Sequence, residues 1–150
     1  MKKFIATMFI IAAAWASLPA VAQEDEIRAA MARWSEVYST AVDASEMLAL
    51  YHPDATFWGT GARSPMVGAA EFAPYFQNQF ENLADRSHAF VDPVIRFYGD
   101  GDVATAIGLY RFNVTPSNGV PVEVLYRFTF DYVRTDTGWL VIQQHSSQIP

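Results

Sequence analysis

The sequence contains no cysteine, so neither a disulfide framework nor a thiolate metal site is available to it. Lysine is almost as scarce: Lys2 and Lys3 are the only two, and every later basic residue is arginine. No apolar run is long enough to cross a ~30 Å hydrocarbon core comfortably. His52, His88 and His145 stand far apart, and no pair of histidines or carboxylates has ligand spacing, so no metal is expected. A Gly-rich phosphate loop and a nucleophile elbow are also missing. The sequence therefore marks no catalytic residue and implies no cofactor.

The N-terminus, by contrast, is distinctive. Lys2 and Lys3 precede an apolar stretch from Phe4 to Trp15 in which Thr7 is the only polar residue, and Ala20-Val21-Ala22 supplies an A-x-A cleavage site. Residues 1–22 read as a cleavable signal peptide and residues 23–150 as a single exported domain, periplasmic or secreted after cleavage near Ala22-Gln23. Cleavage removes both lysines and leaves 8 arginines against 16 acidic residues, a formal charge of −8. A surface this acidic repels phosphate backbones and anionic headgroups, so neither nucleic acid nor a membrane is an expected partner of the mature chain. Without disulfides, an exported domain depends on its core or on self-association for stability.

Apolar residues recur every three or four positions from Glu24 to Val42, at Ile27, Met31, Trp34, Tyr38 and Ala41, which predicts a helix. The acidic triplet Glu24-Asp25-Glu26 would then favour its dipole. Asp43 or Ser45 can cap a second helix, Glu46 to Tyr51, that His52-Pro53 ends. Ala55 to Trp58 reads as a short strand, and a third helix is expected from about Ala69 to Leu83, with Phe72, Phe76 and Phe80 on its core face. From Ser87 the period changes to two. Strands Ser87–Tyr98, Val103–Thr115, Val120–Thr135 and Trp139–Ser147 are separated by turn sequences, as in an antiparallel meander. Helices followed by long strands predict an α+β layout with the helices on one face of a curved sheet.

Register arguments single out several polar residues. A four-residue turn at Gly99–Asp102 sets Tyr98 opposite Val103, Arg96 opposite Thr105 and Phe90 opposite Arg111, so Arg96 and Arg111 share a face. Among apolar neighbours an arginine needs an anion or a carboxylate, so each either meets a ligand or pairs with a residue such as Asp92 or Glu123. The position of Arg127 depends on a register that a one-residue slip would invert. His145 would face Phe128 after a two-residue turn and Thr129 after a three-residue one. Trp58, Phe57, Phe90 and Tyr110 are candidates for a pocket wall.

Several segments together resemble a known family. Leu50-Tyr51-His52-Pro53-Asp54-Ala55, Trp58-Gly59-Thr60, Pro93 through Asp100, Leu109-Tyr110-Arg111-Phe112, Arg127-Phe128-Thr129-Phe130 and the ending Gly138-Trp139 through His145-Ser146-Ser147…Pro150 are similar to the association domain of calcium/calmodulin-dependent protein kinase II and its free-standing bacterial relatives. That domain lies within the nuclear transport factor 2-like superfamily. The resemblance implies a cone of three helices on a curved, mostly antiparallel sheet enclosing a pocket, with arginines at the pocket floor. Arg96 and Arg111 occupy positions of that kind, and Arg127, His145, Trp58 and Tyr110 complete the residues expected around a ligand. Relatives often carry two adjacent histidines where this chain has Gln144-His145. No kinase or calmodulin partner is expected, because the N-terminal helix is not the basic amphipathic helix that calmodulin takes.

Two functions fit this reading. One is an exported module that binds a small anionic or polar molecule over the arginines and self-associates. The other is a cofactor-independent isomerase, dehydratase or cyclase of the ketosteroid-isomerase-like type, which needs a carboxylate or histidine base in an apolar pocket. Asp54, Asp92 and Asp131 are the available acids, and none is a convincing buried base beside a histidine. Strands with apolar residues on both faces predict a homodimer through the sheet, since one face otherwise stays bare.

Overall fold

The computed structural model describes residues 20–150. The expected signal peptide lies outside the described residues except for Ala20–Ala22, which open the first helix.

Helix α1 spans Ala20–Thr40 and buries Ile27, Met31, Trp34, Val37 and Tyr38 along one stripe. In the described residues α1 begins at Ala20, ahead of the expected start, so Glu24-Asp25-Glu26 falls past its first turn. Glu26 instead accepts from the Trp139 indole and from Arg134, both at 2.9 Å, tying α1 to the last two strands. Asp43 caps α2 (Ala44–Leu48) through a reciprocal box: it accepts from the Ser45 N–H, while Glu46 accepts from the Asp43 N–H.

Helix α2 stops at Leu48, and Tyr51-His52-Pro53 belongs to a strand, β1 (Tyr51–Trp58). Pro53 lacks an N–H and is tolerated there because the parallel pairing of β1 with the last strand is interrupted between Tyr51 and Thr56. A two-residue strand β2 (Met66–Val67) pairs with β1. A single 3-10 turn at Ala69–Phe72 then leads into α3 (Ala73–Asn82), with Pro74 in the first turn of α3, where its missing donor costs nothing.

Four long strands follow: β3 (Leu83–Tyr98), β4 (Val103–Pro116), β5 (Val122–Thr135) and β6 (Gly138–Gln148). They form the expected antiparallel meander in a six-stranded sheet of order β2-β1-β6-β5-β4-β3. On the inner face, β4 presents Ala104, Ala106 and Gly108 opposite Tyr132, Phe130 and Phe128 of β5. Small residues facing large rings let the sheet curl, and a Cβ on Gly108 would already lie 3.3 Å from the Phe128 ring. Trp34 fills the hollow, its ring 5.5 Å from Phe130 and 4.6 Å from His88.

The edge strand β3 is covered by α1. The His88 N–H donates to Ser39 Oγ at 3.2 Å, while the Arg86 guanidinium donates to the terminal carbonyls of Tyr38 and Ala41. Arg86 thereby caps α1, and its guanidinium lies 4.2 Å from the centroid of Phe80.

Two bulges set the register. The first falls between Val91 and Val94, where Asp92 adopts φ 42°, and it brings Phe90 opposite Tyr110 rather than Arg111, which pairs with Ala89. The second falls in β6 opposite Asp131/Tyr132. The turn is the two-residue one, with Thr135 opposite Gly138, yet the bulge moves His145 opposite Thr129.

Candidate functional site

Between α3, the loop after β1 and the open end of the sheet lies a cleft of about 570 Å³. Helix α3 contributes Tyr75, Asn78, Gln79 and Asn82, the loop gives Thr60 and Gly61, and α1 gives Tyr38. The sheet supplies Phe112, Val114, Val124, Tyr126 and Gln148. Among the described residues no charged side chain lines it. Its polar groups are amides and hydroxyls, and the Tyr38 hydroxyl donates to Gln79 Oε1 at 2.7 Å. Gly59 is needed beside it, because a Cβ there would meet the Tyr75 ring at 2.6 Å.

Deeper in the cone, Trp34 Nε1 donates to the Tyr51 hydroxyl at 2.8 Å, and that hydroxyl donates to Gln144. Thr60 and Ser146 share a hydrogen bond next to the Tyr110 hydroxyl. Burial pushes the hydroxyls of Tyr38, Tyr51, Tyr75 and Tyr110 above the ordinary phenol range, so all four stay protonated at neutral pH. The cleft offers donors and acceptors and no carboxylate or imidazole at its wall.

The one histidine on the inner face is His88. It is 8% exposed, its Nδ1 lies 2.8 Å from Ser35 Oγ, and its Nε2 has no partner among the described residues. Its ring packs against Phe112, which lines the cleft, at 4.7 Å. Burial lowers its pKa to about 3, so it is neutral at physiological pH.

The sequence-derived site residues divide by face. Tyr110 lies on the inner face, 1% exposed. Arg96 and Arg111 do share a face, as the spacing predicts, but it is the outer one, and Arg127, His145 and Trp58 lie there too. Arg96 donates to its neighbour's carbonyl, Ile95 O, at 2.8 Å, and Arg111 Nε lies 3.5 Å from Glu123. Arg127 donates to Gln148 O at 2.6 Å, and Trp58 stands edge-on to His145 with ring centroids 6.1 Å apart. The expected arginine floor is therefore corrected: the inner rows alternate with these residues and are aromatic, and burying guanidinium groups there without carboxylates would be costly. Arg127, His145 and Trp58 come together on the outer face, while Arg96 and Arg111 stand apart from them.

The residues that sequence reading missed are the amides of α3. Tyr75, Asn78, Gln79 and Asn82 recur at i, i+3, i+4 and i+7, a polar stripe beside the Phe72/Phe76/Phe80 stripe, and that period was their signal. No group of three or more His, Asp or Glu among the described residues could hold a metal ion, and none of their helices is long and apolar enough to cross a membrane.

A family model described as the SnoaL-like domain matches residues 19–144. A solved structure from Xanthomonas campestris, provisionally named a calcium/calmodulin dependent protein kinase II association domain, is 27% identical over 90% of this chain and 94% of its own, with a TM-score of 0.78. A nuclear transport factor 2-like superfamily protein from Salmonella enterica is 19% identical over 88% of this chain and 94% of its own, at a TM-score of 0.77. A protein from Streptomyces avermitilis, provisionally named a dehydratase of the same family, is 16% identical over 87% and 99%, at 0.76. No curated protein matches the chain. The fold is the nuclear transport factor 2-like α+β cone.

Proposed function

Because the chain belongs to the SnoaL-like domain family, we propose that it is an exported binding domain whose inner cleft holds a small, neutral, partly aromatic molecule. One observation carries the reading: a cleft of about 570 Å³ is walled by phenols, amides and apolar side chains without a single charge. An ionised ligand would lose its hydration there with nothing to replace it, whereas a neutral ligand with hydroxyl or carbonyl groups finds both donors and acceptors. The anionic ligand that the arginines suggested is not supported by this wall.

The test is a thermal-shift comparison of neutral aromatic alcohols with the matching aromatic carboxylates. Stabilisation by the neutral series alone, weakened in Gln79→Leu, agrees with the proposal; stabilisation by the carboxylates alone overturns it.

A second reading, a cofactor-independent dehydratase or isomerase, is favoured by one observation: His88 is buried, unpaired at Nε2 among the described residues, and packed against Phe112 of the cleft wall. Exchange of a bound ligand's acidic C–H with deuterated solvent, abolished in His88→Gln, would select it over plain binding.

The proposal extends to location and assembly. Export through residues 1–22 is checked by sequencing the N-terminus of the secreted protein, expected at Gln23. Self-association is proposed over the apolar outer surface of β3–β5, where Val94, Ile107 and Leu125 are each more than a third exposed. Sedimentation at micromolar concentration gives a dimer mass if this is right.

A further inference from the structure

His88 on β3 is 8% exposed, and its Nε2 has no hydrogen-bond partner among the described residues. Two serines one turn apart on α1, Ser35 and Ser39, hold its other polar atoms. We infer that Ser35 is a positioning residue: it fixes His88 in the Nδ1–H form and so leaves Nε2 a bare lone pair. This deepens the second reading above and rests on it for its use, because only a bare nitrogen can take a proton from a ligand.

The two serines make matching relays. Ser39 Oγ donates to Ser35 O, four residues back, at 2.7 Å and accepts from the His88 backbone N–H at 3.2 Å. Ser35 Oγ repeats the pattern one turn earlier: it donates to Met31 O at 3.2 Å and lies 2.8 Å from His88 Nδ1. Thr40 makes the same backward bond, to Glu36 O at 2.9 Å. A hydroxyl has a single proton. Once Ser35 gives that proton to Met31 O, only its lone pairs face the imidazole, and the ring must donate through Nδ1–H. Burial keeps the ring neutral, so it has no second N–H to place on Nε2.

The opposite arrangement is the poorer one. If Ser35 donated to Nδ1, the ring proton would sit on Nε2 as a buried N–H without an acceptor, and orphaned buried N–H groups are rarer than under-used acceptors. The ring is also held against flipping. It is wedged among Trp34 at 4.6 Å, Phe90 and Phe112 at 4.7 Å and Tyr110 at 5.1 Å between centroids. The two imidazole nitrogens point in widely different directions, so with Nδ1 on α1 the Nε2 lone pair points away from Ser35. In the second reading a ligand's C–H passes its proton to Nε2 while the electron pair stays on the ligand. The Nε2–H form has no lone pair there to receive it.

The test is a long-range proton–nitrogen NMR spectrum of the mature chain carrying nitrogen-15 histidine, which shows which ring nitrogen holds the proton. His88→Gln assigns the His88 signals apart from those of His52 and His145. The wild type is expected in the Nδ1–H form. Ser35→Ala should move the ring toward the Nε2–H form, and Ser35→Thr, which keeps the hydroxyl, should restore it. Ser39→Ala removes a bond of the same kind from the same helix but touches only the His88 backbone N–H, so the ring nitrogens should not change. An Nε2–H wild type overturns the inference, and so does an equal shift in Ser39→Ala, which would mean a general loosening of α1 from β3. The wild-type spectrum decides even where Ser35→Ala does not fold. Exchange of the methyl C–H of acetophenone with deuterated solvent is read separately, and should fall by about tenfold in Ser35→Ala and return in Ser35→Thr. A wild type that exchanges nothing defeats the second reading alone, since the nitrogen shifts still decide the tautomer.

Discussion

The two faces of one sheet share the same four strands, alternate residue by residue, and do opposite things. The inner face is a continuous aromatic surface, Phe90, Tyr110, Phe128, Phe130 and Tyr132, on which α1 lies. The outer face holds every arginine of the sheet's middle, Arg96, Arg111 and Arg127, among half-exposed Val94, Ile107 and Leu125. The aromatic rows gain their energy by excluding water; the arginine rows keep their hydration and their reach. A polar residue's chemistry is therefore decided by parity: one step along β5 separates the buried Phe128 from the exposed Arg127.

The contrast should be plainest in stability. Phe130→Ala, at a fully buried inner position, should cost about 3–5 kcal/mol, whereas Ile107→Ala, half-exposed on the outer face of a single protomer, should cost below ~1 kcal/mol at concentrations that keep the chain monomeric. Urea denaturation measures both, and similar costs would mean that the outer face is covered as completely as the inner.

Acid should separate the faces next. The folded-state pKa of His88, about 3, lies below its ordinary 6.5, so the unfolded chain binds the extra proton between those values. The stability that neutral His88 supports is fully present above pH 6.5 and declines as pH falls toward 3, by up to roughly 4–5 kcal/mol. A denaturation series from pH 7 to pH 4 should show this loss, and His88→Phe should flatten it.

Ligand binding then discriminates the faces directly. Gln79→Leu should weaken a neutral ligand of the cleft by about fivefold, the size of one buried hydrogen bond of ~1 kcal/mol. Arg111→Ala should leave that affinity unchanged, as read by isothermal titration; an equal loss would return the arginines to the pocket. Smallest of all is the Arg111–Glu123 pair, exposed on both sides, whose double-mutant cycle should give under ~0.5 kcal/mol.

Much of the cone is written locally. The stripe Ile27, Met31, Trp34, Tyr38 specifies α1, the Asp43/Glu46 box starts α2, and the alternation and turn residues from Ser87 onward specify the meander. The α3 amides are equally legible by their period. Pro53 misled for a physical reason: proline ends helices, but it also fits a strand wherever the ladder is already broken, and only the partner strand shows that it is.

By itself, then, the sequence determined the elements, their order and the fact that Arg96 and Arg111 share a face, because these follow from periods of two and 3.6 and from turn chemistry within a few residues. The tertiary structure alone decided which face turns inward. That choice depends on two bulges, on the parallel closure of β1 against β6 and on where α1 lays its apolar stripe, and all of these join segments distant along the chain. The same packing took three arginines out of the expected pocket and left an uncharged cleft inside.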